Sequence, residues 1–283
     1  MIVDSHCHAW RYWPYEPPVP DPESRGRVEQ LLWEMDRNGV EKAVVICARI
    51  DHNPDNNEYI LEAARQHPDR LFQFADVDCR WWETYHQPGA AQRLREAVER
   101  YGLRGFTHYF DADDDGSWYL SDEGAAFLQA AADLNQIVSF AMPARLQPVL
   151  RQLAARFPSL TFLCHHMAGV RLSEGADPPS LREVLASAAV PNIHVKLSGF
   201  HYVDTVAWDF PYPRCRPVVR ALYEQFGPER LHWGSDYPVV RRAMTYQHAL
   251  EAVRTHCDFI TASDMDRILG DSLFELLQRH GAP

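Results

Sequence analysis

The chain has 283 residues, with 28 Lys+Arg against 39 Asp+Glu, a formal charge of −11, and 46% hydrophobic residues. This length excludes a peptide or a small stapled domain, and it suits one α/β barrel of roughly 250 residues or two small domains. The acidic balance argues against nucleic acid or an anionic membrane as main partner, though a small anionic substrate can still occupy a locally positive pocket.

Ile2-Val3-Asp4-Ser5-His6 reads as a first strand. Pro14 to Pro22 follows, with five prolines in nine residues, and can only be loop. Val28 to Asn38 places Val28, Leu31, Leu32 and Met35 at helical spacing, and Gly39 stops it. Val44–Cys47 is a second strand, and Glu58–His67 is a helix that ends before Pro68. Leu71–Val77 is a third strand followed by a helix over Ala90–Tyr101. Leu103–His108 is a fourth strand, and Ser121 caps a helix to Leu134 with Asp122 and Glu123 in its first turn. The strands Ile137–Ala141, Leu160–Cys164, Ile193–Leu197 and Leu231–Trp233 follow. Their helices are Leu146–Phe157, Leu181–Ala188, Val218–Phe226 and Tyr246–His256. A last helix, Asp264–Arg279, closes the chain.

Eight strands, each followed by a helix, predict an α/β fold, a single (β/α)8 TIM barrel spanning 1–283 with an extra C-terminal helix. A doubly wound open sheet would show a Gly-rich phosphate loop after an early strand, and none is present. The longest clear apolar run, Ala43–Ala48, is far below the roughly 20 residues of a spanning helix. The N-terminus lacks the basic region of a signal peptide. Cys7, Cys47, Cys79, Cys164, Cys215 and Cys257 form no CxxC pair and read as buried free thiols of a cytoplasmic protein.

In a barrel the active site lies where strands end, so the residues there are the candidates. His6 and His8 lie two apart at the end of strand one and face the same side. Chance alone gives about 0.7 His-x-His pairs among 14 histidines, so position carries the argument. Asp236, after strand eight, can approach them because strands one and eight are neighbours in a closed barrel. Its carboxylate can take a proton from water. His165 and His166 end strand six, and alternation sends at most one of them inward. His6, His8 and one of that pair would supply the three ligands of a catalytic zinc, with Asp236 as fourth ligand or base. On strand seven, Ile193, Val195 and Leu197 form the helix-facing side, which turns His194, Lys196 and Ser198 inward. An inward lysine needs a carboxylate partner or a lowered pKa. Arg49, His108, His201 and Tyr202 sit where substrate groups would dock, Arg49 suiting a carboxylate.

Several of these segments carry a family resemblance. They are Val3-Asp4-Ser5-His6-Cys7-His8, Met35-Asp36-Arg37-Asn38-Gly39-Val40 and His67-Pro68-Asp69-Arg70-Leu71, then Phe157-Pro158-Ser159-Leu160 leading to His165-His166. Val195-Lys196-Leu197-Ser198-Gly199 and Gly234-Ser235-Asp236-Tyr237-Pro238 complete the set. In this order, nearly end to end, the chain resembles the amidohydrolase superfamily. Within it, the match is to the branch of sugar-lactone, pyrone and muconolactone hydrolases, with metal-dependent decarboxylases as cousins. The resemblance implies a site on His6, His8, His166 and Asp236, the family histidine falling on His166 when counted from Pro158. It also implies one divalent metal, Zn or Mn, although the branch includes members that work without metal. A homodimer is a family-level expectation.

Three departures shape the reading. Strand four ends Phe106-Thr107-His108, without the bridging lysine of binuclear members. Strand five, Ser139-Phe140-Ala141-Met142, supplies no histidine, which favours lactonase over decarboxylase. Thr107 stands where lactonases often carry arginine. The resulting expectation is a hydrolase of a small lactone, with Asp236 as base and Arg49, His108 and His201 as substrate contacts. The alternatives are non-oxidative decarboxylation of an aromatic or unsaturated acid, and a barrel that binds a ligand without turnover.

Overall fold

A computed structural model describes all residues except Pro17, Ala282 and Pro283. The short apolar runs pair side by side as parallel strands: β1 (Val3–Cys7), β2 (Lys42–Ile46), β3 (Leu71–Asp76), β4 (Gly105–Tyr109), β5 (Ile137–Ala141), β6 (Thr161–Cys164), β7 (Ile193–Leu197) and β8 (Leu231–Trp233). They form one eight-stranded sheet in chain order. It closes through the segment after β8. His8 N–H donates to Tyr237 O at 2.6 Å, and Asp236 N–H donates to His6 O at 2.7 Å. The expected (β/α)8 barrel is therefore present, and its closure draws Asp236 onto the end of β1.

The surrounding helices are α1 (Val28–Asn38), α2 (Asn56–Gln66), α3 (Ala90–Tyr101), α4 (Ser117–Leu120), α5 (Asp122–Asp133) and α6 (Gln147–Arg156). They continue with α7 (Pro179–Ala186), α8 (Phe200–Val203), α9 (Arg216–Phe226), α10 (Tyr246–Arg254), α11 (Ala262–Asp266) and α12 (Ser272–Arg279). Gly39 ends α1 at φ +68, and the Ser121 side chain accepts from Gly124 N–H at the start of α5, as their residue types predict. Among the described residues, no helix is long and apolar enough to cross a membrane.

Two apolar layers follow from strand alternation. Ala43, Val45, Phe106, Val138, Phe162, Val195 and their neighbours face the helices. Val3, Val44, Ile46, Phe74, Ile137 and Leu163 fill the barrel axis, sealed below by Leu273, Leu276 and Leu277 of α12. The expected last helix is in fact two. The chain kinks at Gly270, where a Cβ would lie 2.5 Å from Met1 O and 2.7 Å from Val3 N. Only glycine lets the segment pass under β1 there. The six cysteines are free and buried, and burial pushes thiols such as Cys47 and Cys164 up.

Candidate active site

The polar ends of the strands converge at the mouth above this plug. The pairing of β1 with β2 shifts register between Asp4 and Cys7. The shift lets Val3 and His6, three residues apart, both face the axis, and His8 follows His6 by simple alternation. Asp4 faces away and fixes the turn. One carboxylate oxygen accepts from His6 N–H at 3.0 Å and Ser235 N–H at 2.9 Å. The other accepts from Ser235 Oγ at 2.6 Å and Tyr246 Oη at 2.9 Å. Burial raises Asp4 to about 6, and these hydrogen bonds offset part of that. Gly234 passes so close to β1 that a Cβ would meet His6 Cβ at 2.8 Å.

Asp236 sits at the centre with φ +59 and only 1% exposed. Its Oδ1 lies 3.5 Å from His6 Nε2, 3.6 Å from His8 Nε2 and 3.8 Å from His166 Nε2. Its Oδ2 lies 3.9 Å from His201 Nε2. Burial raises the Asp236 pKa, but the facing imidazoles of His166, His8 and His201 together outweigh it and leave the carboxyl below its ordinary value. Burial pulls His6 well down, His166 to about 4, and His201 down as well.

Both histidines of the strand-six pair enter the site, against the expectation of one. His165 continues the alternation inward, with Nε2 2.7 Å from Ser139 Oγ. His166, Met167 and Ala168 then take φ values of +48, +49 and +55. This left-handed turn swings His166 back towards Asp236. Gly199 makes room, since a Cβ there would lie 2.7 Å from His166 Nδ1.

Lys196 is fully buried beneath the site. It has no direct carboxylate partner among the described residues; its Nζ donates to Ser139 Oγ at 2.8 Å and lies 3.1 Å from His6 Nδ1. Burial lowers it to about 7, partly offset by Asp4 at longer range. Of the two expected accommodations for an inward lysine, the lowered pKa is the one present.

Two expected substrate contacts lie elsewhere. His108 follows Phe106 onto the helix-facing side of β4. It is completely buried, bonded to Val77 O at 2.9 Å and Tyr119 Oη at 2.7 Å. Arg49 turns outward, stacks its guanidinium 3.9 Å from the Trp82 ring and donates to Pro54 O. His201 does reach the centre. A cleft of 370 Å³ opens beside His165 and His166 and is also lined by Arg80, Met142, Arg171 and Tyr202. Arg80 and Asp111 also line an adjoining 430 Å³ cavity, to which the proline-rich segment contributes Tyr15. Sequence reasoning missed Arg80, Arg171 and Tyr109. Alternation from Phe106 was the available signal for Tyr109, whereas the arginines sit on loops with no periodicity to read.

Among the described residues, two groups have the spacing of metal ligands, His6 with His8 and Asp236, and His6 with His165 and His166. His6 Nε2 and Asp236 Oδ2 are buried without a hydrogen-bond partner. A carboxylate facing several imidazole nitrogens, with orphaned atoms on both sides, fits a divalent cation.

Comparison with known proteins shows what the whole chain is similar to. An L-fucono-1,5-lactonase of Burkholderia ambifaria is 31% identical over 255 residues, 85% of this chain and 81% of that protein. The crystal structure of an amidohydrolase from Burkholderia multivorans with bound Zn superposes with a TM-score of 0.78. It is 23% identical and covers 98% of this chain and 99% of its own. A probable 2-pyrone-4,6-dicarboxylic acid hydrolase from Acinetobacter baumannii, with citric acid bound, superposes at 0.76 with 20% identity. It covers 98% of this chain and 99% of its own. The amidohydrolase family profile matches residues 3–272, almost the whole barrel, and the chain belongs to that family.

Proposed function

We propose that the protein hydrolyses a small cyclic ester, a lactone, with Asp236 as the proton-transfer group. The observation that carries this reading is the buried Asp236 carboxylate ringed by His6, His8, His166 and His201, of which His166 also lines an open cleft. The similarity to an L-fucono-1,5-lactonase over most of both chains supports it.

His6, His8, His166 and Asp236 would hold one divalent ion, Zn or Mn. When bound, such an ion supplies a Lewis acid that polarises a carbonyl and makes water more acidic. The protein's own residues do the rest. Asp236, held ionised, takes a proton from the attacking water as its oxygen adds to the lactone carbonyl carbon. The ring C–O bond then breaks, and Asp236 returns the proton to the leaving alkoxide. His201, neutral and with both ring nitrogens unpartnered, is free to bond the substrate at the same centre. Tyr202 and Met142 wall the cleft.

The test is a panel of sugar-acid lactones and carboxylated pyrones, followed by proton release and by NMR of the product. A ring-opened hydroxy acid is expected. Carbon dioxide release from aromatic acids, with no lactone opened, would replace this reading with decarboxylation. A saturable ligand that yields no product would replace it with binding alone.

A further inference from the structure

Two arginines line the 370 Å³ cleft, Arg80 from the loop after β3 and Arg171 from the loop after β6. Their backbones are anchored. Arg80 N–H donates to Tyr109 O at 3.0 Å, and Arg171 N–H donates to Ser180 Oγ at 3.0 Å. Both residues are exposed, and among the described residues neither guanidinium has a hydrogen bond, an ion pair or a stacked ring. Arg93 and Arg267, by contrast, are tied to Asp78 and to Glu229 and Glu275.

The nearby acids are engaged with backbone amides. Asp111, which lines the same cleft, accepts from Asp113 N–H at 3.1 Å. Glu174, three residues on from Arg171, accepts from Ser180 N–H at 2.8 Å. The cleft therefore sets two guanidiniums against one carboxylate, in a chain of net charge −11. The balance reverses in the adjoining 430 Å³ cavity, where Arg80 meets both Asp51 and Asp111 beside the rings of Tyr15, Trp81 and Tyr109. Ring faces with carboxylate acceptors suit a hydroxylated ring, whereas the cleft suits an anion.

We propose that Arg80 and Arg171 are specificity-determining residues that form an anion subsite: the lactone opened at Asp236 carries a carboxylate or phosphate group, which lies in the cleft against these two guanidiniums. A guanidinium fork matches either anion through two parallel N–H···O bonds. His166 lines the same cleft, and its Nε2 lies 3.8 Å from Asp236 Oδ1, so the anion is held beside the reacting centre. The inference rests on the lactonase reading for the bond that is broken, and not for the anion that is bound.

The test is calorimetric binding of lactams, which keep the ring of a lactone and resist hydrolysis. Gluconolactam, its C6 carboxylate and its C6 phosphate, with their galacto counterparts, are titrated into the protein as purified. In one series or the other, wild type is expected to bind an anionic member at least about tenfold more tightly than its neutral parent, the scale of one charge-assisted hydrogen bond. Whichever of carboxylate and phosphate gains more identifies the anion. Added salt should shrink the preference, because both guanidiniums are exposed. Arg80→Gln and Arg171→Gln should each reduce the ratio, and the double variant should bring it near one. Arg49→Gln removes the same charge outside the cleft and should leave the ratio as it is. A ratio near one in wild type, a ratio unchanged in the double variant, or no binding by any of the lactams overturns the proposal. None of these readouts needs ring opening. An anion preference in a protein that opens no lactone would sink the lactonase reading alone, and lactones opened with no anion preference would sink the subsite alone.

Discussion

Asp236→Asn isolates proton transfer from architecture. The substitution keeps shape and removes one charge from a group that is 1% exposed. The backbone should not object, because Asp236 sits at φ +59, a conformation asparagine adopts more readily than most residues. The hydrogen bond from Asp236 N–H to His6 O involves no side-chain atom and survives. Neither carboxylate oxygen carries a structural hydrogen bond like those of Asp4, so the fold loses little. The expected stability change is below about 1 kcal/mol, a melting shift of roughly 2–4 °C or less. Turnover should behave otherwise. A positioned general base contributes about 10²–10⁴-fold, or roughly 3–5 kcal/mol of barrier. Steady-state kinetics on whichever lactone the panel identifies, run beside thermal unfolding, should show kcat falling by at least about 100-fold. Turnover within about tenfold of wild type in a well-folded variant would remove Asp236 from the chemistry.

Three further outcomes follow from the placement of particular side chains. Arg49→Ala should leave kcat/KM within about twofold, because Arg49 stacks on Trp82 outside the site; a large loss would mean that it reaches substrate after all. Asp4→Ala should cost at least about 3 kcal/mol by urea unfolding, since it strands the donors of His6, Ser235 and Tyr246 in the interior; a cost under about 1 kcal/mol would deny Asp4 its role as anchor. Burial lowers His108 from 6.5 to about 4, so it stays neutral in the fold while the unfolded chain takes up a proton. Its contribution is intact above pH 6.5 and is lost as pH falls towards 4, a loss on the order of 3 kcal/mol. His108→Asn should flatten the acid limb of unfolding free energy against pH, and an unchanged slope would show that His108 is not the group responsible.

The barrel was legible because its strands are short apolar runs punctuated by helices of regular spacing, and that pattern needs no long-range information. His6, His8 and Asp236 were legible for a related reason: closure of the barrel makes the first and last strands neighbours, so residues 230 apart in sequence become adjacent. The pair His165-His166 marks where such reasoning stops. Alternation admits only one of the two, but three consecutive left-handed residues after β6 bring the second in, and no periodicity encodes that turn. Arg49 was misplaced because the end of a strand fixes where the backbone points and leaves a long side chain on the following loop free to turn away.

His108 teaches more, because the information needed was already present. The argument that turned Lys196 inward was that Ile193, Val195 and Leu197 face the helices. Applied to β4, the same argument puts His108 beside Phe106 on the helix-facing side and turns Tyr109 inward, where its ring stands 5.2 Å from that of His165. A histidine near the end of a barrel strand is thus a candidate only if its parity matches the polar set, and parity must be counted through any bulge. On β1 the register shift between Asp4 and Cys7 changes that count and makes Asp4 an outward anchor rather than a ligand. The residues that perform chemistry and those that hold them alternate along the same few strands. A one-residue error in parity exchanges the two roles.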